Sequence, residues 1–183
     1  MMETQKENVD SIAGESRKRQ KKAMRTITDK ETGKERITVE EYRKFWTTTC
    51  MRNFSSPYYM LGMAEEAAEV LEEVMRKADR KIILKECGDV LWYMTGMILK
   101  SDIDLSSIYE NWWNADRDPY TPQLTSMDAT MKLLLAVGHL AGRIKKYERG
   151  DYGEDALKAF VKKHVADVCE SLSLVCVSYG GVS

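Results

Sequence analysis

Two acidic pairs stand close together in this chain, Glu66-x-x-Glu69 and Glu86-x-x-Asp89. Each is spaced i, i+3, so on a helix both carboxylates project from one side, about one turn apart. A short basic break, Arg76-Lys77-Ala78-Asp79-Arg80-Lys81, separates the segments that carry them. Two helices joined by so short a break fold back antiparallel, which draws the four carboxylates towards one spot. Crowded carboxylates repel and stay ionised only beside a cation. An all-oxygen donor set suits a hard divalent ion, Mg²⁺ before others, with Mn²⁺ as its substitute.

The second pair has a further peculiarity. After Asp89 the run VLWYMTGMIL, Val90 to Leu99, holds no charge. A helix that is apolar nearly all round is buried, so Asp89 sits at the mouth of a buried segment with Glu86 one turn before it. A carboxylate there costs several kcal/mol, as a rough figure, unless something pairs with it. Gly88 between the two leaves room for a neighbouring helix or a ligand.

The elements that must position these residues read as helices. Thr38-Val39-Glu40-Glu41 is a capping box that opens a first helix carrying Tyr42, Phe45 and Trp46 and ending between Cys50 and Asn53. Ser56-Pro57 reads as N-cap and first residue of a second helix, running to about Lys77. On its wheel Leu61, Ala64, Ala68, Leu71 and Met75 form one stripe, widened by Ala67, Val70 and Val74. The glutamates 65, 66, 69, 72 and 73 cover the other side. A third helix spans about Lys81 to Lys100. A fourth starts after Asp102 or Asp104, carries Ile108, Tyr109, Trp112 and Trp113, and stops before a linker holding Pro119 and Pro122. A fifth begins after Thr125 or Ser126 and reaches about Arg149. A sixth covers Ala156 to Tyr179 and stops at Gly180-Gly181.

Ahead of these helices, residues 1 to about 24 are polar and include the basic run Arg17 to Lys22. Few large apolar residues are there to order them, so a flexible extension is expected. Functionally the run fits a nuclear-localisation or anionic-surface patch, against the plainer reading of a basic tail with no specific role. Residues 25–38 alternate around Thr32-Gly33 as a small hairpin would.

Composition sets the outer limits. At 183 residues with only 3 prolines and many Glu, Lys, Leu, Met and Ala, the chain reads as one all-α domain with an extension. A formal net charge of −1 gives no overall pull towards nucleic acid or a membrane. No apolar run follows the basic N-terminal residues and none is long enough to span a bilayer, so neither a secretory signal nor a membrane anchor is expected. The four cysteines, Cys50, Cys87, Cys169 and Cys176, lack CxxC spacing and read as reduced core residues of an intracellular, cytoplasmic protein.

The ordered set Glu41-Tyr42-Arg43, LGMAEEAAEV (Leu61 to Val70) and ECGDVLWYM (Glu86 to Met94) resembles the MazG-like, all-alpha nucleoside triphosphate pyrophosphohydrolases, over roughly residues 38 to 117. The second half echoes the first. Setting Glu69 against His139 puts Ile144-Lys145-Lys146 on Val74-Met75-Arg76, and His164-Val165-Ala166-Asp167-Val168 falls on ECGDV. Glu66 then becomes Ala136, Glu86 becomes His164, and Asp89 remains as Asp167. The expected layout is an extension over 1–37, a complete repeat over 38–117, a linker over 118–126 and a degenerate repeat over 127–183. Together they form an antiparallel helical bundle similar to the dimeric dUTPase type.

The resemblance implies hydrolysis of a nucleoside triphosphate to the monophosphate and pyrophosphate, with deoxynucleotide-pool cleaning as its purpose. Glu66, Glu69, Glu86 and Asp89 would hold Mg²⁺, and Glu69 or Glu66 would take the proton of the attacking water. Arg76, Lys77 and Lys81 are candidates for the phosphate tail, with a solvated face as the plainer reading. Asn114 and Arg117 resemble the family's Asn-x-x-Lys/Arg element, and in another register Asn111 takes the same role. Trp46 and Tyr93 are candidates to stack on the base, against the commoner reading of aromatic core. The chain's two histidines, His139 and His164, fall with Asp167 on aligned ligand positions. They could hold a softer ion such as Zn²⁺, or be remnants of a site that lost its acids.

Two other classes compete. A di-metal carboxylate oxidase wants Glu-x-x-His twice, and that spacing is absent from the sequence. A non-catalytic helical nucleotide-binding or interaction protein would keep the fold and lose the acids, yet the first half keeps all of them. The sequence leaves open whether two chains pair as a homodimer.

Overall fold

A computed structural model describes residues 27–28, 35–50, 52–113 and 124–179, with the side chains of 27–28, 35–36 and 110–113 outside that description. The basic run Arg17 to Lys22, Asn114, Arg117 and the Gly180-Gly181 stop lie outside the described residues. Contacts divide the chain into two units, residues 1–51 and 52–183.

In the first unit β1 (Ile27–Thr28) pairs antiparallel with β2 (Glu35–Arg36), Ile27 opposite Arg36. Helix α1 (Val39–Thr49) opens as expected. Thr38 Oγ1 accepts from the Glu41 amide at 3.1 Å, and the Glu41 carboxylate accepts from the Thr38 amide at 3.1 Å. Trp46 is its buried residue. The division after Met51 places this helix with the residues before it.

The second unit is helical throughout: α2 (Ser56–Met75), α3 (Arg80–Lys100), α4 (Ser106–Trp113), α5 (Ser126–Glu148) and α6 (Glu154–Ser178). The side chain that caps α2 is Ser55, one residue before the expected Ser56, and it accepts from the Tyr58 amide. Thr125 caps α5 by accepting from the Asp128 amide at 3.1 Å. Helices α2 and α3 form one hairpin and α5 and α6 another. The hairpins pack mainly along α2 and α5, with lesser contact of α3 and α4 on α6. Their shared core holds Met63, Ile83, Met94, Met97, Ile98, Leu133, Leu140, Val161 and Val165, all fully buried. Among the described residues no helix is long and apolar enough to cross a membrane.

Helix α2 bears out part of the expected core face, Ala67, Val70 and Val74, and corrects the rest. It buries Tyr59, Met60, Met63, Ala67, Val70 and Val74, whereas Leu61 is 72% exposed, Met75 is 65% exposed and Ala68 faces out. Both stripes have helical spacing, and periodicity finds a stripe without saying which of two will pack. The buried one carries Tyr59, Met60 and Met63, and so removes more apolar surface from water than a stripe with alanines at its centre.

The two hairpins bury matching positions. In the register that sets Glu69 against His139, buried Tyr59, Met60, Met63, Ala67, Val70 and Val74 answer to buried Ala129, Thr130, Leu133, Val137, Leu140 and Ile144. In the register that sets Glu86 against His164, Ile83, Cys87, Val90 and Met94 answer to Val161, Val165, Val168 and Leu172. The turns match too. Lys77 (φ 55°) and Gly150 (φ 85°) each adopt the left-handed conformation just past a helix end. There the following amides close back on the last turn, Ala78 on Glu73 and Asp151 on Lys146, both at 3.0 Å.

Candidate functional site

The α2–α3 hairpin is held by two reciprocal contacts of tyrosine on glycine. A Cβ on Gly62 of α2 would stand 2.1 Å from the Tyr93 ring of α3, and one on Gly96 of α3 would stand 2.2 Å from the Tyr59 ring of α2. Each ring therefore lies on bare backbone, and the helices approach closely at two levels. Gly62 is one turn before Glu66, and Tyr93 is one turn after Asp89. The close approach fixes the separation of the acidic residues across the hairpin.

Carboxylate oxygens of Glu66, Glu86 and Asp89 all lie within 4.8 Å of one another. Glu86 is buried at 7% exposure, and Glu66 and Asp89 are half-buried. The ammonium of Lys85 donates to both oxygens of Glu86 at 3.0 Å and to Asp89 Oδ2 at 2.9 Å. These bonds, Asp89's first, hold the lysine above its ordinary range. Among the described residues Glu66 has no such partner. Desolvation, then the charges of Asp89, Glu69, Glu86 and Glu65, push its carboxyl up to about 7. The cluster is thus a charge-frustrated oxygen site, with one ammonium for three carboxylates.

Of the four acids singled out by sequence, the structure brings three together and leaves Glu69 exposed beside them. The Glu69 carboxyl is raised as well, by desolvation and by the Glu86 charge. Lys85 was not foreseen. Its signal was the sequence Lys85-Glu86-x-x-Asp89, which puts a lysine one turn before an acid on the same helix. Among the described residues nothing lies within 4 Å of a Cβ on Gly88, so of the two occupants expected there, a helix or a ligand, no helix takes the room. The glycines that admit a neighbour are Gly62 and Gly96.

Tyr93 stands in an aromatic group beside the acids. Its ring centroid is 5.0 Å from that of Trp92 and 6.1 Å from that of Tyr58, and Tyr58 stacks on Phe54 at 3.9 Å. Desolvation, then Tyr58, push the Tyr93 hydroxyl up to about 12, with Glu66 also contributing. Tyr58, Gly62 and Glu66 follow one i, i+4 row of α2, which is how an aromatic shelf comes to flank a carboxylate. Neither Tyr58 nor Phe54 was picked out by sequence.

The basic candidates sit differently. Arg76 pairs with Glu72 and with Glu73, and at 1.5 Å rise per residue it lies about 15 Å along α2 from Glu66. Lys77 forms the exposed left-handed turn beyond it. Lys81, exposed in the first turn of α3, is about 7 Å along that helix from Glu86. Trp46 is buried in α1 of the first unit.

In the second hairpin the ring centroids of His139 and His164 are 6.3 Å apart. His164 Nδ1 lies 3.2 Å from Asp167 Oδ2, and Arg143 Nε donates to His164 Nε2 at 3.4 Å. Among the described residues only Glu66, Glu86 and Asp89 gather three metal-ligand atoms so closely. The His139, His164 and Asp167 set is not gathered as closely as the acidic three, and in this arrangement the His164 ring serves Arg143 and Asp167. The four cysteines are reduced, none joined in a disulfide among the described residues. Cys169 is buried against Met94, its sulfur 3.8 Å from the thioether, and burial pushes its thiol up to about 12.

Among protein families, residues 54–112 match the MazG nucleotide pyrophosphohydrolase domain. The match takes in Glu66, Lys85, Glu86, Asp89 and Tyr93, and over it the chain is MazG-like. No curated protein and no solved structure matches the chain.

Proposed function

We propose that this MazG-like chain is a Mg²⁺-dependent nucleoside triphosphate pyrophosphohydrolase that converts (d)NTP to (d)NMP and pyrophosphate and so clears unwanted deoxynucleotides. The observation that carries the reading is the meeting of Glu66, Glu86 and Asp89 oxygens within 4.8 Å across two helices. Three carboxylates with one exposed lysine fit a hard divalent cation by charge and by donor type. Glu66, Glu86 and Asp89 would hold it, with Glu69 beside them. When bound, the ion offsets polyphosphate charge and acts as a Lewis acid. Lys85 would then be free to turn its ammonium to the phosphate tail, as would Lys81. Glu69, exposed one turn after Glu66, is the candidate to take the proton of the water that adds to the α-phosphorus as the α–β bridge breaks. Tyr93 would stack on the base. Nucleoside triphosphates are intracellular, and the protein is placed there with them.

We infer further that the active form is a homodimer and that α5–α6 is a degenerate copy of α2–α3. The matching burial supports the copy. For the dimer, α2 leaves Leu61 and Met75 exposed, and α5 leaves Met127, Met131 and Leu135 exposed. Helix α2 carries five glutamates and no Lys or Arg, whereas α5 carries Lys132, Arg143, Lys145 and Lys146 against Asp128 and Glu148. A second copy, turned over, would set acidic α2 against basic α5 twice.

The enzyme reading is tested with a panel of ribo- and deoxynucleoside triphosphates and Mg²⁺, scoring monophosphate and pyrophosphate. Equal yields of the two from at least one triphosphate are expected. Release of inorganic phosphate alone, or no turnover of any member, would sink it.

A further inference from the structure

The α5–α6 hairpin carries an arginine held in an unusual way. Arg143 reaches from α5 onto α6 and lies between Phe160 and His164, which are one turn apart. Its guanidinium carbon stands 4.5 Å from the Phe160 ring centroid, and its Nε donates to His164 Nε2 at 3.4 Å. The imidazole that accepts this bond is itself fixed, 92% buried by its 8% exposure, with its other nitrogen 3.2 Å from Asp167 Oδ2. An imidazole that accepts at Nε2 carries its proton on Nδ1 and gives it to the carboxylate. The backbone of Arg143 is tied as well, since the Tyr152 hydroxyl donates to its carbonyl and the Tyr152 ring lies 5.0 Å from that of Phe160.

One edge and one face of the guanidinium are therefore engaged. Among the described residues nothing accepts from its two terminal amino groups. That is the edge with which arginine grips a carboxylate or phosphate through two parallel bonds. A long side chain ordinarily loses rotamer entropy when it binds, and here stacking and the Nε bond have already ordered it. The exposed His139, whose ring is 6.3 Å from that of His164, has no hydrogen-bond partner among the described residues. The same positions in the first hairpin carry Glu69 and Glu73, so the charge at this place is reversed between the two hairpins.

We propose that Arg143, supported by Phe160 and His164 and joined by His139, forms a binding site for a phosphate-type oxyanion, separate from the acidic cluster. The arginine fork holds two oxygens in its plane, and a phosphate has a third oxygen to offer His139 where a carboxylate has none. The site does not depend on the hydrolase reading and needs no metal.

The test uses the full chain in EDTA, which removes any metal bridge to the acidic cluster. Pyrophosphate, inorganic phosphate and succinate are titrated while the Arg143 Nε and His139 ring signals are followed by NMR. Saturable shifts with pyrophosphate or phosphate and not with succinate are expected, and comparing the two separates a diphosphate site from a monophosphate one. Arg143→Gln should weaken binding about tenfold or more, His139→Ala should weaken it less, and Asp89→Asn should leave it unchanged. If Arg143→Gln fails to fold, His139→Ala with Arg143→Lys carries the test, the lysine losing the two-pronged grip. No saturation, equal response to succinate, or binding indifferent to every Arg143 and His139 variant would overturn the proposal.

Discussion

Lys85 answers, with one charge, a demand set by three carboxylates. It donates to Glu86 and Asp89 and leaves Glu66 to hold its proton up to about pH 7. Lys85→Ala should lower the melting temperature of the metal-free protein, by an amount corresponding to about 1 kcal/mol since the lysine is exposed. The same change should keep or strengthen stabilisation by Mn²⁺ or Mg²⁺, because the ion no longer competes with an ammonium. Metal-free and metal-loaded melting curves decide it, and loss of the metal effect in Lys85→Ala would mean that the lysine helps to build the site. Glu66 gives a pH dependence of definite sign. Its folded value of about 7 lies above the 4.5 of a free glutamate, so the folded state binds the extra proton. That stabilisation is complete below about pH 4.5 and lost as pH rises through about 7. Metal-free stability should fall over that window, and Glu66→Gln should flatten the slope; an unchanged slope would place the titrating group elsewhere. At this scale the sequence was informative about Glu66, Glu86 and Asp89 because an uncharged run follows Asp89. It said little of Lys85, because a lysine on a helix surface has no pattern of its own.

At the scale of elements, the hairpin is set by where a side chain is missing. Gly62→Ala would drive a methyl into the Tyr93 ring, 2.1 Å away, and should cost about 1–3 kcal/mol by overpacking. It should also weaken metal binding, since it spreads the two helices that bear the ligands. Gly88→Ala meets open space and should be neutral or up to about 1 kcal/mol more stable, by helix propensity. Urea denaturation of the pair reads the contrast, and equal effects would contradict the role given to the tyrosine contacts. Helix positions were legible from caps such as Thr38, Thr125 and Asp104, whose carboxylate accepts from the Ser107 amide. The packed face of α2 was legible only in part: Ala67, Val70 and Val74 stood in the expected stripe, but Leu61–Ala68–Met75 and Met60–Ala67–Val74 are both seven-residue spacings and only the neighbours α3 and α5 choose between them.

At the scale of the whole molecule, two hairpins with matching burial carry opposite charge at matching places, acidic in α2–α3 and histidine with arginine in α5–α6. That division was visible in the sequence as the exchange of Glu69 and Glu86 for His139 and His164. The arginine held between Phe160 and His164 needed three dimensions, because Arg143 and His164 lie on different helices. The exposed stripes predict pairing of chains. Met131→Glu combined with Leu135→Glu, two acids on α5 facing acidic α2, should convert a dimer to a monomer in sedimentation runs, and a wild type already monomeric at the same concentration would remove the dimer. The central claim, that the acidic cluster hydrolyses nucleoside triphosphates, is tested most directly by pyrophosphate and monophosphate release from the best triphosphate with Mg²⁺, by wild type and by Asp89→Asn. Equimolar products from wild type, with a fall of at least about a hundredfold in the variant, are expected. Equal rates from the two proteins, or products formed without a divalent ion, would contradict it.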